Sequence, residues 1–361
     1  GGNSVSNVWG KSIRVSIFGE SHGKGIGIIL DGLPPGKDID IDEINFYMDK
    51  RSPGKDELST SRRERDEVEI LSGLFNGKTT GAPLCGVIRN SDVRSSDYNP
   101  DLPRPGTADL TAYIKYHGYN DYRGGGHFSG RLTAPLTFAG SIARQILKRD
   151  RISIGAHILK ISDVSDERFS EINHELLEEL SKSSFPLINK KVQEDMKASI
   201  LRAKEDSDSV GGVIECAAIG IPSGLGSPFF DSMESSISSM MFSIPAVKGI
   251  EFGAGFDIAS MKGSEANDEI YLKDGSFYTK TNHGGGINGG ITNGMPIVFR
   301  LAFRPTPSIK KPQNTVNLKT MTNTEISIQG RHDPCIVKRA LVVVESALAL
   351  CILDSMLSDR W

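Results

Sequence analysis

A layered α/β chain of the α+β kind is what the sequence predicts, and three observations carry that expectation. Residues 12–18 alternate, with Ile13, Val15 and Ile17 on one side and Ser12, Arg14 and Ser16 on the other, the two-residue period of a half-buried strand. Residues 340–353 are apolar almost throughout, as in a helix covered on most sides. Between them strand pairs are interrupted by helices, and no repeat, low-complexity tract or linker divides the chain. The expectation is one large domain over residues 8–361. Residues 1–7 read as a cloning remnant or flexible N-terminus, because Gly1 and Gly2 stand where an initiator Met would.

Taken in order, the strand at 12–18 leads into Gly19-Glu20-Ser21-His22-Gly23, and 26–30 is the next strand, ending at Gly32-Leu33-Pro34-Pro35-Gly36. A short helix is expected over 42–50, with Ile44, Phe46, Tyr47 and Met48 as packing residues. Residues 51–66 follow as a polar loop rich in arginine, and such a charge run is ordinarily a solvated face. Strands are expected at 68–74 and 83–89 around the turn Asn76-Gly77. A helix over 132–148 would bury a stripe of Leu132, Leu136, Ala139, Ala143 and Ile146, with Pro135 tolerated in its first turn. Further strands fall at 152–161, 211–219 and 296–303, and further helices at 171–181, 189–204 and 233–242. The helices between 171 and 204 read as an excursion from the domain. Finally, Asp333 is placed to N-cap, and Pro334 to begin, a helix reaching about Leu357, roughly 35 Å long.

Composition limits the function. A net charge of −3 disfavours a general nucleic-acid binder, which needs a basic surface to displace counterions, although a local basic pocket remains compatible. Cys85, Cys216, Cys335 and Cys351 are too widely spaced for a disulfide framework or a structural zinc site, which implies a reducing, cytoplasmic setting. None of the seven histidines forms H-x-x-x-H, so no metal site is expected. The apolar run at 340–353 contains Glu345 and is shorter than the ~20 residues of a membrane span, so no membrane partner is expected either.

The stretch 104–134 organises the chemistry. Gly124, Gly125, Gly126 and Gly130 lie among Arg104, Arg123, His127 and Arg131, just ahead of a helix. Glycines admit close backbone approach, a helix N-terminus adds partial positive charge and guanidinium groups fork onto oxyanions, so the stretch reads as a phosphate site. A loop that merely turns the chain has the same composition. A second cluster, Gly284-Gly285-Gly286-Ile287-Asn288-Gly289-Gly290, lies between His283 and the strand at 296–303, and the stiff turn Arg304-Pro305-Thr306-Pro307-Ser308 after that strand reads either as hydroxyls and an arginine facing a phosphate or as a proline-rich exit from the strand. Gly19 to Gly23 also matches G-x-S-x-G, with Ser21 as a hydrolase nucleophile, but that elbow requires a helix after the turn and residues 24–30 lack a helical stripe.

In combination, three motifs become specific. Phe18-Gly19-Glu20-Ser21-His22-Gly23, Arg104-Pro105-Gly106 with Tyr122-Arg123-Gly124-Gly125-Gly126, and Gly330-Arg331-His332-Asp333-Pro334-Cys335 together resemble the chorismate synthase family over nearly the whole chain. The resemblance implies a β-α-β sandwich, usually a homotetramer arranged as a dimer of dimers. It implies a lyase that converts 5-enolpyruvylshikimate 3-phosphate to chorismate by trans-1,4-elimination of phosphate. Reduced FMN is required without net redox change, with NADPH as reductant if the protein reduces its own flavin.

Carried over by position, the resemblance puts flavin contacts on His127, Phe128, Ser129, Ala246, Gly289, Arg304, Pro305, Thr306, Pro307, Ser308 and Arg331. Substrate contacts fall on Ser21, His22, Arg51, Arg104, Arg131 and Arg331. His22 matches a histidine credited with proton transfer, and Asp333 with Ser21 a pair credited with helping the flavin accept the substrate proton. The chain also departs from the pattern. Where the family reads Arg-Pro-Gly/Ser-His-Ala-Asp it has Arg104-Pro105-Gly106-Thr107-Ala108-Asp109, so Thr107 replaces a second catalytic histidine. A threonine hydroxyl is no proton donor near neutral pH, which makes His117 the candidate substitute or the chain a weakly active FMN- and phosphate-binding paralogue or mutant. Glu57 stands where many members have arginine, with Lys55 nearby, and His127-Phe128 replaces the more usual Arg-Ser.

Overall fold

The computed structural model describes residues 6–52, 58, 66–90, 98–328 and 333–359. Its first layer is an antiparallel sheet in the order β1 (Val8–Trp9), β2 (Arg14–Gly19), β3 (Gly25–Asp31), β7 (Leu84–Arg89), β4 (Val68–Ser72). The alternation in β2 sets its register on β3, with Val15 opposite Leu30 and Ile17 opposite Ile28. Asn76-Gly77 closes a small separate hairpin of β5 (Leu74–Phe75) and β6 (Lys78–Thr79), while β4 pairs with β7.

Helices form the middle layer. Asp40 caps α1 (Ile41–Arg51) by accepting from the Asp42 and Glu43 amides. Its buried face is Ile44, Tyr47, Met48 and Arg51, whereas Phe46, expected to pack, is exposed because it lies on the opposite side of the helix. The helix α3 (Thr133–Arg149) is buried on every side from Ala134 to Leu147, so the expected stripe is the whole circumference. The reason is its position: α3 touches β3 and β7 of the first sheet, β8 (Ser153–Ile161) of the second, and α8 (Val337–Ser358) along its length. Close approach of α3 and α8 depends on Gly140, where a Cβ would stand 2.2 Å from that of Ser346.

The core charge Glu345 is matched inside this layer. Arg144 Nη1 donates to Glu345 Oε2 at 2.7 Å, and the other carboxylate oxygen accepts from the Ala156 amide at 2.9 Å, tying α3, α8 and β8 together. At 22 residues α8 exceeds the expected apolar run and is long enough to cross a membrane, but most of it is buried between its neighbours. It begins at Val337 with Ile336 at the cap position, so Asp333 is not its N-cap and Pro334 not its first residue. Asp333 instead pairs with Arg339, in the first turn of the helix.

The second sheet has the order β11 (Val247–Phe252), β16 (Ile297–Phe303), β10 (Gly212–Ile219), β8, β9 (Val164–Ser165). Its inner face, with Ile158, Ile214, Cys216, Phe299 and Leu301, joins the core shared with the first sheet. On its outer side Gly155 lies against Leu177 of α4 (His174–Lys182), so the segment read as an excursion covers this face together with α5 (Gln193–Glu205). The helix α6 (Met233–Ser243) packs on α8 and β11. Peripheral elements are α2 (Asp109–Lys115), α7 (Gly263–Ala266) and the hairpins β12–β13 (Ile270–Lys273, Ser276–Thr279), β14–β15 (Ile287–Asn288, Ile291–Thr292) and β17–β18 (Gln313–Asn317, Thr322–Ile326).

Candidate active site

A cavity of about 890 Å³ opens where the N-terminal ends of α3 and α8 meet the loops at 104–109, 124–131 and 304–308. Helix N-termini expose amide hydrogens and so favour anions. Arg51, Arg104, Arg131, Lys248, Arg304 and Arg339 line it against the carboxylates of Asp109 and Asp333. One wall is apolar, with Val15, Ile17, Leu136, Met240 and Val343 beside Phe128.

The floor is organised by a carboxylate absent from the sequence reading. Arg51 Nε donates to Asp66 Oδ2 at 3.1 Å and its Nη2 to the same oxygen, while Arg131 Nη1 donates to Oδ1 at 2.7 Å. Arg51 is therefore buried, not on the solvated loop face that its charge run suggested. Burial alone would raise the Asp66 carboxyl, but the two guanidinium charges outweigh it and hold the group at about 2.

Arg104 is held differently. Its Nε and Nη2 fork onto Asp109 at 2.7 and 2.9 Å, and Nη1 reaches Ser308 Oγ at 3.4 Å. Burial disfavours its charge, yet the bonds to Asp109 more than offset that and raise its pKa. Arg304 Nη1 donates to the Gly106 carbonyl, joining the loops at 104–109 and 304–308. Its backbone amide donates to Ala246, which sits at φ +77° on the cavity edge, a conformation that side-chain-bearing residues adopt only under constraint.

The glycine loop lines the cavity and wraps the turn that carries Ser21 and His22. His22 Nδ1 lies 3.1 Å from Ser21 Oγ, both side chains are buried, and Gly126 accepts from the Ser21 amide at 3.0 Å. Gly124, at φ +60°, covers them: a Cβ there would come within 2.3 Å of His22 Cε1 and 2.9 Å of Ser21 Oγ. Because β3 follows this turn directly, Ser21 has no helix behind it and the hydrolase elbow is excluded. His22 also meets Tyr98 edge-on at 5.1 Å.

Of the predicted residues, Arg51, Arg104, Thr107, His127, Phe128, Ser129, Arg131, Ala246, Arg304, Thr306, Pro307, Ser308 and Asp333 line the cavity, and Ser21 and His22 stand behind Gly124 at its wall. Gly289, Pro305 and His117 are not among its lining residues, and His117 is exposed just past the end of α2. Arg331, Lys55 and Glu57 lie outside the described residues. Thr107 Oγ1 donates to the Arg104 carbonyl at 2.9 Å and accepts from the Asp109 amide at 3.1 Å, a local turn. His127 Nδ1 meets the Gly19 carbonyl at 2.7 Å and Nε2 the side chain of Asn7 at 2.9 Å. Ser6 and Asn7, read from sequence as outside the domain, thus line the cavity.

Sequence reasoning missed Asp66, Asn90, Asp109 and Arg339. Asp109 alone had a local signal, its position five residues after Arg104 in the same motif. The others are recruited from segments distant in sequence: Asp66 ahead of β4, Asn90 just after β7 and Arg339 on α8.

Comparison with known proteins agrees with the motifs. The chorismate synthase family profile matches residues 13–357. The chain is 48% identical to the chorismate synthase of Korarchaeum cryptofilum over 354 residues, covering 97% of each protein. It is 47% identical to that of Thermococcus kodakarensis over 354 residues, covering 97% of this chain and 98% of the relative. A crystal structure of chorismate synthase superimposes with a TM-score of 0.76 at 31% identity, over 97% of this chain and 93% of the other. In profile, sequence and layered fold alike, this chain belongs to the chorismate synthase family.

Proposed function

We propose that the cavity converts 5-enolpyruvylshikimate 3-phosphate to chorismate with reduced FMN bound alongside. The observation that carries this reading is the convergence of Arg51, Arg104 and Arg131, each fixed by a carboxylate, on one cavity beside the Ser21–His22 turn. Guanidinium groups locked before substrate arrives need no reorganisation as charge develops on the departing phosphate, which is where preorganised electrostatics has its largest effect. In this reading His22, which stands behind Gly124 with Ser21 Oγ beside it, exchanges a proton at the substrate. Asp333, held by Arg339, is the carboxylate available to receive the proton lost in the elimination.

The residues present fit a flavin. A cavity of about 890 Å³ is at the large end of ligand pockets, with room for a flat ring system and a second ligand. Its apolar wall suits a ring face, and Ser129, Ala246 and the turn at 304–308 supply polar edge groups. Thr306 Oγ1 is buried there with no hydrogen-bond partner among the described residues, as expected of a group kept for a ligand. When bound, reduced FMN supplies transient electron density that eases phosphate departure. Arg331 belongs to the same proposed contact set by position.

Thr107 favours a second reading, a family member that binds flavin and phosphate but turns over slowly. An anaerobic assay with reduced FMN and enolpyruvylshikimate phosphate separates the two: phosphate release with chorismate formed supports the first, and tight flavin binding without turnover supports the second. Thr107→His should raise turnover by ~10²-fold, the usual weight of one acid–base group, because its side chain would enter the cavity. No gain in that assay would mean that water already supplies the proton.

A tetramer is the assembly we propose, and a cytoplasmic setting accompanies the family assignment. Support comes from apolar side chains left in water on β12–β13, namely Ile270, Leu272 and Phe277, with Phe229, Phe230 and Phe256 elsewhere. Light scattering should give four times the chain mass, and a monomer at micromolar concentration would sink the proposal.

A further inference from the structure

Asn90, the residue just after β7, belongs to no contact set assigned above, yet its side chain has every polar group engaged. Its Nδ2 donates to the Glu20 carbonyl at 3.0 Å and to the Gly23 carbonyl at 2.9 Å, the two ends of the turn that carries Ser21 and His22. Its Oδ1 accepts from Arg131 Nε at 2.7 Å. Its own amide donates to the Lys24 carbonyl at 3.3 Å, extending the β3–β7 ladder by one more bond. Only one orientation of the amide is possible, because the carbonyl must face the guanidinium and the NH2 the two backbone carbonyls.

We propose that Asn90 is a positioning residue for the reaction, fixing the proton-transfer turn and the phosphate-holding Arg131 to one another through a single planar amide. This rests on the roles proposed above for His22 and Arg131. The physical need is plain. Asp66 fixes only one end of the Arg131 guanidinium, through Nη1, and the bond at Nε sets its rotation. Residues 20–23 form a four-residue turn containing Gly23, with Gly19 before it at φ +97°, a connection that can adopt several shapes. Two carbonyls held by one NH2 group select one of them. Aspartate has the same shape but no donor, alanine has neither donor nor acceptor, and glutamine is a methylene too long for this geometry.

The test compares Asn90→Asp and Asn90→Ala with His22→Ala and Arg131→Ala in the anaerobic assay, with hydrogen exchange of the peptide covering residues 19–26. Asn90→Asp keeps the acceptor for Arg131 Nε and loses both turn contacts, so kcat should fall by about 10- to 100-fold while KM moves less, and exchange in the peptide should quicken. Asn90→Ala should move kcat and KM together. In a His22→Ala background Asn90→Asp should cost kcat little more, since the group it orients is gone. An Asn90→Asp enzyme with unchanged kcat and unchanged exchange overturns the inference, as does a loss of kcat that multiplies undiminished on His22→Ala. Should His22→Ala itself retain full turnover, the role proposed for His22 fails, and the exchange result still decides whether Asn90 holds the turn.

Discussion

Asp66→Asn is expected to lose about 3–5 kcal/mol of stability at pH 7 and roughly 10³-fold in turnover, the largest combined effect of any single substitution here. The carboxylate is almost fully buried between Arg51 and Arg131, and an amide of the same shape neutralises it while leaving both cations in place. Each then loses the counter-charge that Asp66 supplied in a poorly solvated floor, and the bonds that hold the two guanidinium groups to one another through it are weakened. Urea unfolding and the anaerobic assay measure the two losses separately. The pH dependence has a definite sign. The folded-state carboxyl sits at about 2, below the ~3.9 of an unperturbed aspartate, so its contribution is complete above about pH 4 and lost as pH falls toward 2. The Asn variant should therefore show a shallower acid limb in its stability curve, and a limb identical to the parent's would show that Asp66 bears no such load.

His22→Ala is expected to lower turnover by ~10²- to 10⁴-fold with flavin affinity changed by less than a few-fold. The imidazole stands behind Gly124, bonded to Ser21, while the proposed flavin contacts come from other loops. Gly124→Ala should reproduce much of the loss without touching His22 itself. Its Cβ would sit 2.4 Å from Nδ1, so the ring must shift by about an ångström, a displacement able to cost ~10²-fold. Equal turnover for Gly124→Ala and the parent would mean that the ring need not stay where it is. Flavin titration under anaerobic conditions supplies the second half of the test.

The layered fold was legible in the chain because its strands and helices are written locally: the period of β2, the apolar positions of α1, the long apolar run of α8. What was not legible came from partners far apart in sequence. The charge run after α1 gives no sign that Arg51 turns inward, since the reason is a carboxylate fifteen residues on and an arginine eighty residues on. Asp333 followed by Pro334 has the composition of a helix start, and tertiary pairing with Arg339 overrides it. The glycine loop does line the cavity, and its fit over Ser21 and His22 is something sequence spacing cannot express. His117 looked close to Thr107 in the sequence, and α2 carries it away from the cavity.

One further feature bears on how the protein is made. Asp354, near the end of α8, accepts from the backbone amides of Lys11, Ser12 and Ile13, immediately before β2. The same helix runs back through the middle layer to the cavity. Until its codons are translated, the nascent chain has two sheets with no complete filling between them and an N-terminal edge with its anchor missing. Loop closure between such distant segments is slow, and the exposed apolar faces are the kind that chaperones shield. Compaction should therefore come late, once α8 has been made and can fill the space between the sheets.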